Sequence, residues 1–183
     1  MLSLCGSIPQ GVEKSVYNSL ITVANTAGVP TILDCDGEAL ALGLQAKPAL
    51  IKPNSRELAG LVGESEERVR NVGFLVQACG KIREKFGTAV LCTLDADGSV
   101  YVGKEGVFRI GTAPVPLAGF SGAGDTYLSA FVHMYFGQKK PIEQALCFGA
   151  AASCAKIALP GTLLPEKEQI DALLPQITVT KIG

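Results

Sequence analysis

The stretch Gly119-Phe120-Ser121-Gly122-Ala123-Gly124-Asp125-Thr126 runs directly into an apolar segment that continues to Phe136. Three glycines at a helix start leave backbone N–H groups bare, and the helix dipole adds positive potential at that point. Such a place binds an anion and suits the charge that spreads over a transferring phosphoryl group. Asp125 falls in the first helical turn, one residue past the last glycine. From there its carboxylate reaches a hydroxyl beside a bound anion and takes its proton. The same residues also read as glycines that permit close helix packing, followed by an acid that complements the dipole. A G-x-G-x-x-G fingerprint does not fit, because the glycines stand at 119, 122 and 124. A G-x-S-x-G elbow would need glycine where Ala123 stands.

Outward from this stretch, helix and strand signals alternate. Toward the N-terminus, Leu2 to Cys5 is a short apolar strand. Val12 to Ala27 has helical spacing at Val12, Val16, Leu20, Val23 and Ala27 and stops at Gly28. Pro30 to Asp34 predicts a strand, Glu38 to Gln45 a short helix, Ala49 to Ile51 a brief buried strand, and Arg56 to Val62 another helix. Glu66 to Phe86 predicts one long amphipathic helix with Val69, Val72, Leu75 or Val76, Cys79 and Ile82 on one face. Thr88 to Leu94 is a strand that Asp97-Gly98 turns into a hairpin with Ser99 to Val102, and Gly106 to Ile110 adds a further strand. Gly122 to Phe136 is apolar nearly all round, which predicts a deeply buried helix. Pro141 opens a helix that continues to about Ile157, and a last amphipathic helix begins near Pro165. This alternation predicts an α/β fold with a mostly parallel sheet sandwiched by helices, in a single domain over residues 1–183. Ligands of such sheets bind at the C-terminal strand ends, where the loops 6–11, 34–37, 52–54 and 118–121 are expected to gather.

The totals agree with a packed globule. Hydrophobic residues make up 48% and charged residues 18% of the 183, and a net charge of -1 leaves no footprint for nucleic acid or an anionic membrane. Cys5, Cys35, Cys79, Cys92, Cys147 and Cys154 form no C-x-x-C pair, and five of them sit in apolar runs. They read as buried thiols in a reducing cytoplasm. No apolar run approaches the roughly 20 residues of a membrane span. The first residues already read as a core strand, so further chain is expected upstream.

Three other segments carry candidate chemistry. In Leu50-Ile51-Lys52-Pro53-Asn54-Ser55-Arg56-Glu57-Leu58 a strand delivers Lys52 to a sheet end, where it can meet a nucleotide phosphate. Asn54 and Glu57, three apart, offer oxygens to Mg²⁺ directly or through water. The same spacing is that of an N-cap with its capping-box partner. In Cys92-Thr93-Leu94-Asp95-Ala96-Asp97-Gly98, Thr93 and the turn to Gly98 can line a nucleotide site or serve as a plain hairpin turn. In Cys5-Gly6-Ser7-Ile8-Pro9-Gln10-Gly11, Ser7 can bond a sugar hydroxyl or phosphate. His133, mid-helix among apolar residues, reads as a satisfied core histidine. With no convincing histidine partner, Ser121 is a poor hydrolase nucleophile. No Walker A sequence occurs.

Taken together, these segments resemble the PfkB (ribokinase-like) family of sugar kinases in order and nearly end to end. Gly119 to Asp125 is similar to the family's G-A-G-D signature, and Lys52-Pro53-Asn54-Ser55-Arg56-Glu57 to its K-P-N-x-x-E. Cys5 to Gly11 resembles the S-G-S-L-P-P-G loop of the branch acting on sugar phosphates: 1-phosphofructokinases, tagatose-6-phosphate kinases and a 6-phosphofructokinase relative. Ile32 to Leu40 resembles that branch's I-L-D-x-S-G-E-A-L.

The resemblance implies a cytoplasmic, ATP-dependent, magnesium-using phosphotransferase with a ribokinase-like fold, and with fructose 1-phosphate or else tagatose 6-phosphate as substrate. Asp125 would be the base and the Gly122, Ala123 and Gly124 backbone the anion hole. Asn54 and Glu57 would serve magnesium, and Lys52 and Asn54 the nucleotide. Thr93 and Gly98 would lie along ATP, Ser153 near the adenine, and Ser7 on the phosphorylated sugar. Two positions depart from the pattern: Asp95 stands where the family usually has glycine, and Phe120 where it usually has Thr or Pro. The family's N-terminal part and sugar-covering lid have no counterpart in this chain. The alternative expectation is therefore a truncated, non-catalytic nucleotide-binding piece. Self-association into a homo-oligomer is expected from an uncovered first strand.

Overall fold

The computed structural model describes residues 1–183, which pack as two compact units. The first unit comprises Met1–Leu94 and Val100–Val107, the second Asp95–Ser99 and Phe108–Gly183. The chain passes between them within its hairpin, so strand residues 99–103 and 106–110 are divided between the two.

In the first unit, β1 (Leu2–Cys5), β2 (Thr31–Asp34), β3 (Leu50–Ile51) and β4 (Ala89–Thr93) are neighbours in chain order, followed by β5 (Ser99–Gly103). The first four are parallel, with Leu4 opposite Leu33, Leu33 opposite Ile51 and Ile51 opposite Val90. Those residues are buried, which is why β2, β3 and β4 read as unbroken apolar runs rather than as alternating ones. Between the strands come α1 (Val16–Thr26), α2 (Gly37–Gln45), α3 (Ser55–Val62), α4 (Glu66–Arg70) and α5 (Val72–Phe86), the order expected of an α/β sheet.

Two expectations for this unit are corrected. First, the expected face is not buried: Leu20 and Val23 of α1 are exposed, and so is Val12, which precedes the helix. Ile21 and Ala24 go inside, while Val16 packs partly against the core. Asn18 and Asn25 decide this, because their side-chain amides donate to the carbonyls of Leu42 (2.8 Å) and Ala46 (2.7 Å) at α2 and its C-terminal cap. Two amides seven residues apart turn the face that holds Ile21 inward. Second, the long helix is broken at Asn71, whose backbone is extended and whose side chain accepts from the Phe74 N–H at 3.1 Å. Asparagine competes with the helix for backbone donors and so starts α5 afresh.

In the second unit, β6 (Gly106–Ile110) pairs antiparallel with β7 (Val179–Lys181), a strand the sequence pattern did not announce. Around it lie α6 (Ala123–Val132), α7 (Ile142–Ile157) and α8 (Lys167–Leu173). α6 gives way at His133 to a π-helical turn, His133–Gly137. It buries Tyr127, Leu128 and Phe131 rather than its whole surface. His133 is exposed, not a core histidine, and its ring nitrogen shares a 2.8 Å hydrogen bond with the Gln138 amide. Among the cysteines, Cys5 is exposed and Cys147 half-buried, while the other four are buried, and all six are free. No helix is long and apolar enough to cross a membrane.

α6 and α7 pack at van der Waals contact where Gly149 faces Tyr127. A Cβ at position 149 would stand 2.6 Å from the Tyr127 ring and 3.1 Å from its carbonyl oxygen. Gly149→Ala is therefore expected to destabilise the protein by about 1–3 kcal/mol, the usual cost of overpacking. Urea titration measures this, and an unchanged midpoint would show that the two helices separate freely.

Candidate functional site

Parallel strands all end at one edge, and in the first unit that edge collects the expected residues. Cys5 of β1 pairs with Asp34 of β2, and the Gly6 N–H donates to the Asp34 carbonyl at 2.9 Å, so Ser7 follows directly, on an exposed loop. The Tyr17 hydroxyl holds that loop by donating toward the carbonyls of Cys5 (3.0 Å) and Gly6 (3.1 Å). Lys52 leaves β3 and Thr93 ends β4. An isolated bridge joins Asn54 to Thr93, and the Thr93 N–H donates to the Pro53 carbonyl at 3.0 Å. Ser7, Lys52, Asn54, Glu57 and Thr93 thus lie along one edge of the first unit.

Lys52 is not a free cation. Its Nζ sits 2.9 Å from the Asp34 carboxylate, with the two side chains 7% and 13% exposed. Asp34, which sequence reasoning left without a role, is its partner. The signal available was an acid at a strand end beside a basic strand end, as Asp34 and Lys52 are. Asn54 and Glu57 form a full capping box: Asn54 Oδ1 accepts from the Glu57 N–H at 2.8 Å, and the Asn54 N–H and Nδ2 donate to Glu57 Oε2 and Oε1 at 2.9 and 2.8 Å. Burial raises the Glu57 pKa, opposed in part by the hydrogen bond from Asn54 and by Lys52, and reinforced by Asp34 and Asp36. Glu57 borders a cleft of about 580 Å³ together with Asp36, Glu38 and Arg56.

For a magnesium ion this geometry fits in one way. Asn54 Oδ1 and both Glu57 oxygens each accept one bond within the capping box, and of the two residues only Glu57 brings a negative charge to the cleft. No group of three or more His, Cys, Asp and Glu side chains is assembled as a cage. A hydrated ion held through one carboxylate suits such a donor set.

The second unit holds the glycine turn. Gly122 adopts φ 78°, a left-handed conformation that caps α6. The Ala123 N–H donates to the Phe120 carbonyl at 3.3 Å, whereas the N–H groups of Gly122, Gly124 and Asp125 find no acceptor in the protein. The open donors are therefore those of Gly122, Gly124 and Asp125, and Ala123 is the one already occupied. Thr126 stiffens the turn, donating through both N–H (2.9 Å) and Oγ1 (2.8 Å) to the Gly122 carbonyl. The Asp125 carboxylate is exposed at a cavity of about 510 Å³, bordered also by Ser121, Gly122, Thr126, Ala152 and Lys156. α7 contributes Ala152 and Lys156 to this wall. Ser153, half-buried on the same helix, does not border it.

Gly98 is buried with φ 85°, and a Cβ there would stand 2.0 Å from the Ile110 carbonyl oxygen, so the backbone itself demands glycine. Asp95 opens a 3₁₀ turn, Asp95–Asp97, at φ 53°, the left-handed region that glycine enters without strain. Phe120 is 72% exposed.

Residues 1–169 match the model of the pfkB family carbohydrate kinases. The 1-phosphofructokinase of Rhodobacter capsulatus is 31% identical over 179 residues, covering 97% of this chain and 55% of that protein. The 1-phosphofructokinase of Haemophilus influenzae is 27% identical over 185 residues, covering all of this chain and 57% of that protein. Among solved structures, phosphofructokinase-2 from Escherichia coli in complex with potassium superposes with a TM-score of 0.87 at 26% identity, over 96% of this chain and 56% of that one. The chain spans a little over half the length of the relatives it matches.

Two outcomes follow from the edge of the first unit. Asp34→Ala leaves the Lys52 ammonium buried without its partner and is expected to cost about 3–5 kcal/mol. Adding Lys52→Met to that variant is expected to restore part of the loss, and denaturant titrations of both variants measure it. Beside this pair, burial and then the charges of Asp34 and Asp36 push the Cys35 thiol up to about 12 from 9.0. The folded chain holds that proton more tightly than the unfolded one. Cys35 therefore contributes stability that is present in full below about pH 9 and is lost as pH rises toward 12. At about pH 8 iodoacetamide is expected to label exposed Cys5 well before Cys35, since only the thiolate reacts.

Proposed function

This chain belongs to the pfkB family of carbohydrate kinases, and from that premise we propose that it is the nucleotide-binding portion of an ATP-dependent sugar-phosphate kinase. The most favoured reaction is conversion of fructose 1-phosphate to fructose 1,6-bisphosphate, the activity in the names of its two 1-phosphofructokinase relatives. Tagatose 6-phosphate is the next candidate substrate. The observation that carries the reading is the turn at the start of α6. There Gly122 and Asp125, with open N–H groups, and the exposed Asp125 carboxylate border one cavity, and the open N–H of Gly124 lies between them in the turn.

The residues would act as follows. Donors at a helix start stabilise the charge that develops on the transferring phosphoryl oxygens. An Asp125 carboxylate oxygen takes the proton of the sugar hydroxyl as that oxygen attacks the γ-phosphorus. The new oxygen–phosphorus bond forms, the bond to the β-phosphate oxygen breaks, and ADP leaves with that electron pair. The proton on Asp125 then returns to solvent. In the first unit, Glu57 would hold hydrated magnesium, which neutralises phosphate charge when bound, and Asn54 would orient Glu57 through the capping box. Ser7 would contact the phosphorylated sugar. Thr93, Gly98 and Ser153 would line the nucleotide, Gly98 through its backbone. The pairing of Lys52 with Asp34 favours a role in holding the edge together over direct contact with phosphates.

A second reading is nucleotide binding without turnover, favoured by the Asp95 carboxylate where the family usually has glycine in its nucleotide turn. Calorimetry with ATP and magnesium, alongside an ADP-release assay with fructose 1-phosphate, separates the two. Binding without sugar-dependent ADP release selects the second reading, and absence of both removes the functional proposal. In the full-length kinase, Asp125→Asn is expected to lower kcat by about 10²-fold or more with little change in ATP affinity. Near-normal turnover would take Asp125 out of the mechanism. Glu57→Gln is expected to shift the magnesium titration. If it only lowers stability, by roughly 1 kcal/mol, Glu57 is a cap and nothing more.

A further inference from the structure

Helix α7 is apolar and buried along most of its length, and near its end it buries one charge. Lys156 is 2% exposed, among the largest fully buried side chains of the protein. Burying an ammonium is costly unless it is paired or fully hydrogen-bonded. Lys156 has a single partner, a neutral one: its Nζ donates to the Gly161 carbonyl at 2.8 Å, and no carboxylate forms an ion pair with it. An ammonium has three donors, so two remain. A side chain retained at such a cost in the core has a task beyond filling space.

Its surroundings identify the task. The Lys156 side chain borders the cavity that contains Ser121, Gly122 and Asp125, and its Cε would lie 3.6 Å from a Cβ built on Gly122. The glycine turn and the turn after α7 are joined on both sides of this contact. The N–H groups of Ala118 and Gly119 both donate to the Ile157 carbonyl, at 2.9 and 3.2 Å. A Cβ on Gly119 would rest against the Leu159 carbonyl oxygen (3.5 Å) and the Gly161 N–H (3.7 Å). Gly161 takes φ 58°, a conformation in which its carbonyl meets the ammonium.

We propose that Lys156 is the positioning residue of the glycine turn. Its ammonium clamps the turn at Gly161 against residues 118–122 and places positive charge behind the open N–H group of Gly122. The second half of this statement rests on the reading that the turn receives phosphate. The first half stands on the packing alone. A glycine-rich turn has high conformational entropy, and a cross-link from α7 supplies the order that its own side chains lack. The charge acts on any phosphate oxygen entering the cavity through a low-dielectric wall rather than through water.

The test uses the chain itself. Lys156→Met keeps the length and the apolar stem and removes the charge. Lys156→Gln keeps a donor in a neutral side chain and serves where the methionine variant folds poorly. Amide hydrogen exchange read by mass spectrometry and calorimetry with inorganic pyrophosphate are the two measurements. Exchange over residues 118–124 is expected to accelerate by about tenfold or more, with α5 unchanged as the internal reference. Pyrophosphate affinity is expected to fall by about tenfold or more, the scale of one lost charge-assisted contact. Unchanged exchange at 118–124 overturns the positioning role, and so does acceleration spread uniformly over the chain, which would mark Lys156 as a core residue only. Unchanged pyrophosphate affinity in the methionine variant overturns the electrostatic half. If the wild-type chain binds no pyrophosphate while the variant still loosens the turn, the phosphate reading of the cavity fails and the clamp survives.

Discussion

The contact between Gly149 and Tyr127 is the constraint on which the second unit rests. With no side chain at 149, α7 approaches the Tyr127 ring and backbone closely, and its own small residues Gly149, Ala150, Ala151 and Ala152 are buried. Tyr127 is then locked at its other end, where its hydroxyl and Ser99 Oγ share a buried 2.8 Å hydrogen bond. Two consequences reach the cavity. The start of α6, with Asp125 two residues before Tyr127, is held by an anchored aromatic as well as by the bonds of Ala118 and Gly119 to the Ile157 carbonyl. The last turns of α7, with Ala152 and Lys156, come to rest along the same cavity. Positioning accounts for much of phosphoryl-transfer catalysis, so a rigid helix pair beneath a glycine turn is a suitable base for it.

The first unit solves a different problem, that of concentrating charge at a sheet edge. Asp34, Asp36 and Lys52 all act on Glu57 there, while Lys52 is paired with Asp34 and Glu57 is bonded by Asn54. The Asp34–Lys52 pair is nearly dry, so its value lies in mutual compensation more than in net stability. Glu57 accepts two hydrogen bonds from Asn54, which fixes the carboxylate in one orientation toward the cleft. The capping-box and ion-site readings of Asn54 and Glu57 are therefore compatible. The cap uses one acceptor site on each Glu57 oxygen, which aligns the carboxylate and leaves it partly available.

The two departures from the family pattern differ in kind. Asp95 occupies a left-handed backbone position, which aspartate tolerates better than most residues because its short side chain bonds locally. The turn keeps its shape with a carboxylate where glycine is usual. Gly98, three residues on, has no such latitude, because the Ile110 carbonyl fills the space a side chain would need. Phe120 projects into solvent, while its carbonyl accepts from Ala123 and so helps to set which N–H groups of the turn stay open.

What the sequence determined by itself was the order and type of the elements and the segments that carry chemistry. Apolar runs, glycine stops and proline starts are local signals, and β2, β4, α3, α7 and the Gly119–Asp125 turn follow directly from them. Tertiary structure alone decided which faces turn inward. Periodicity places Leu20 and Val23 on an apolar stripe of α1 as readily as Ile21 and Ala24, and only the amides of Asn18 and Asn25, bonding carbonyls 24 and 21 residues away, choose between them. It also decided the partners of the charged groups. That Lys52 is neutralised by Asp34, and that Lys156 lies behind Gly122 rather than in solvent, depend on strand register and on the approach of α6 to α7. Those are distances between residues remote in the chain. A lone lysine within an apolar helix was the one legible sign of the second, because a charge is rarely buried without a partner that sequence spacing does not reveal.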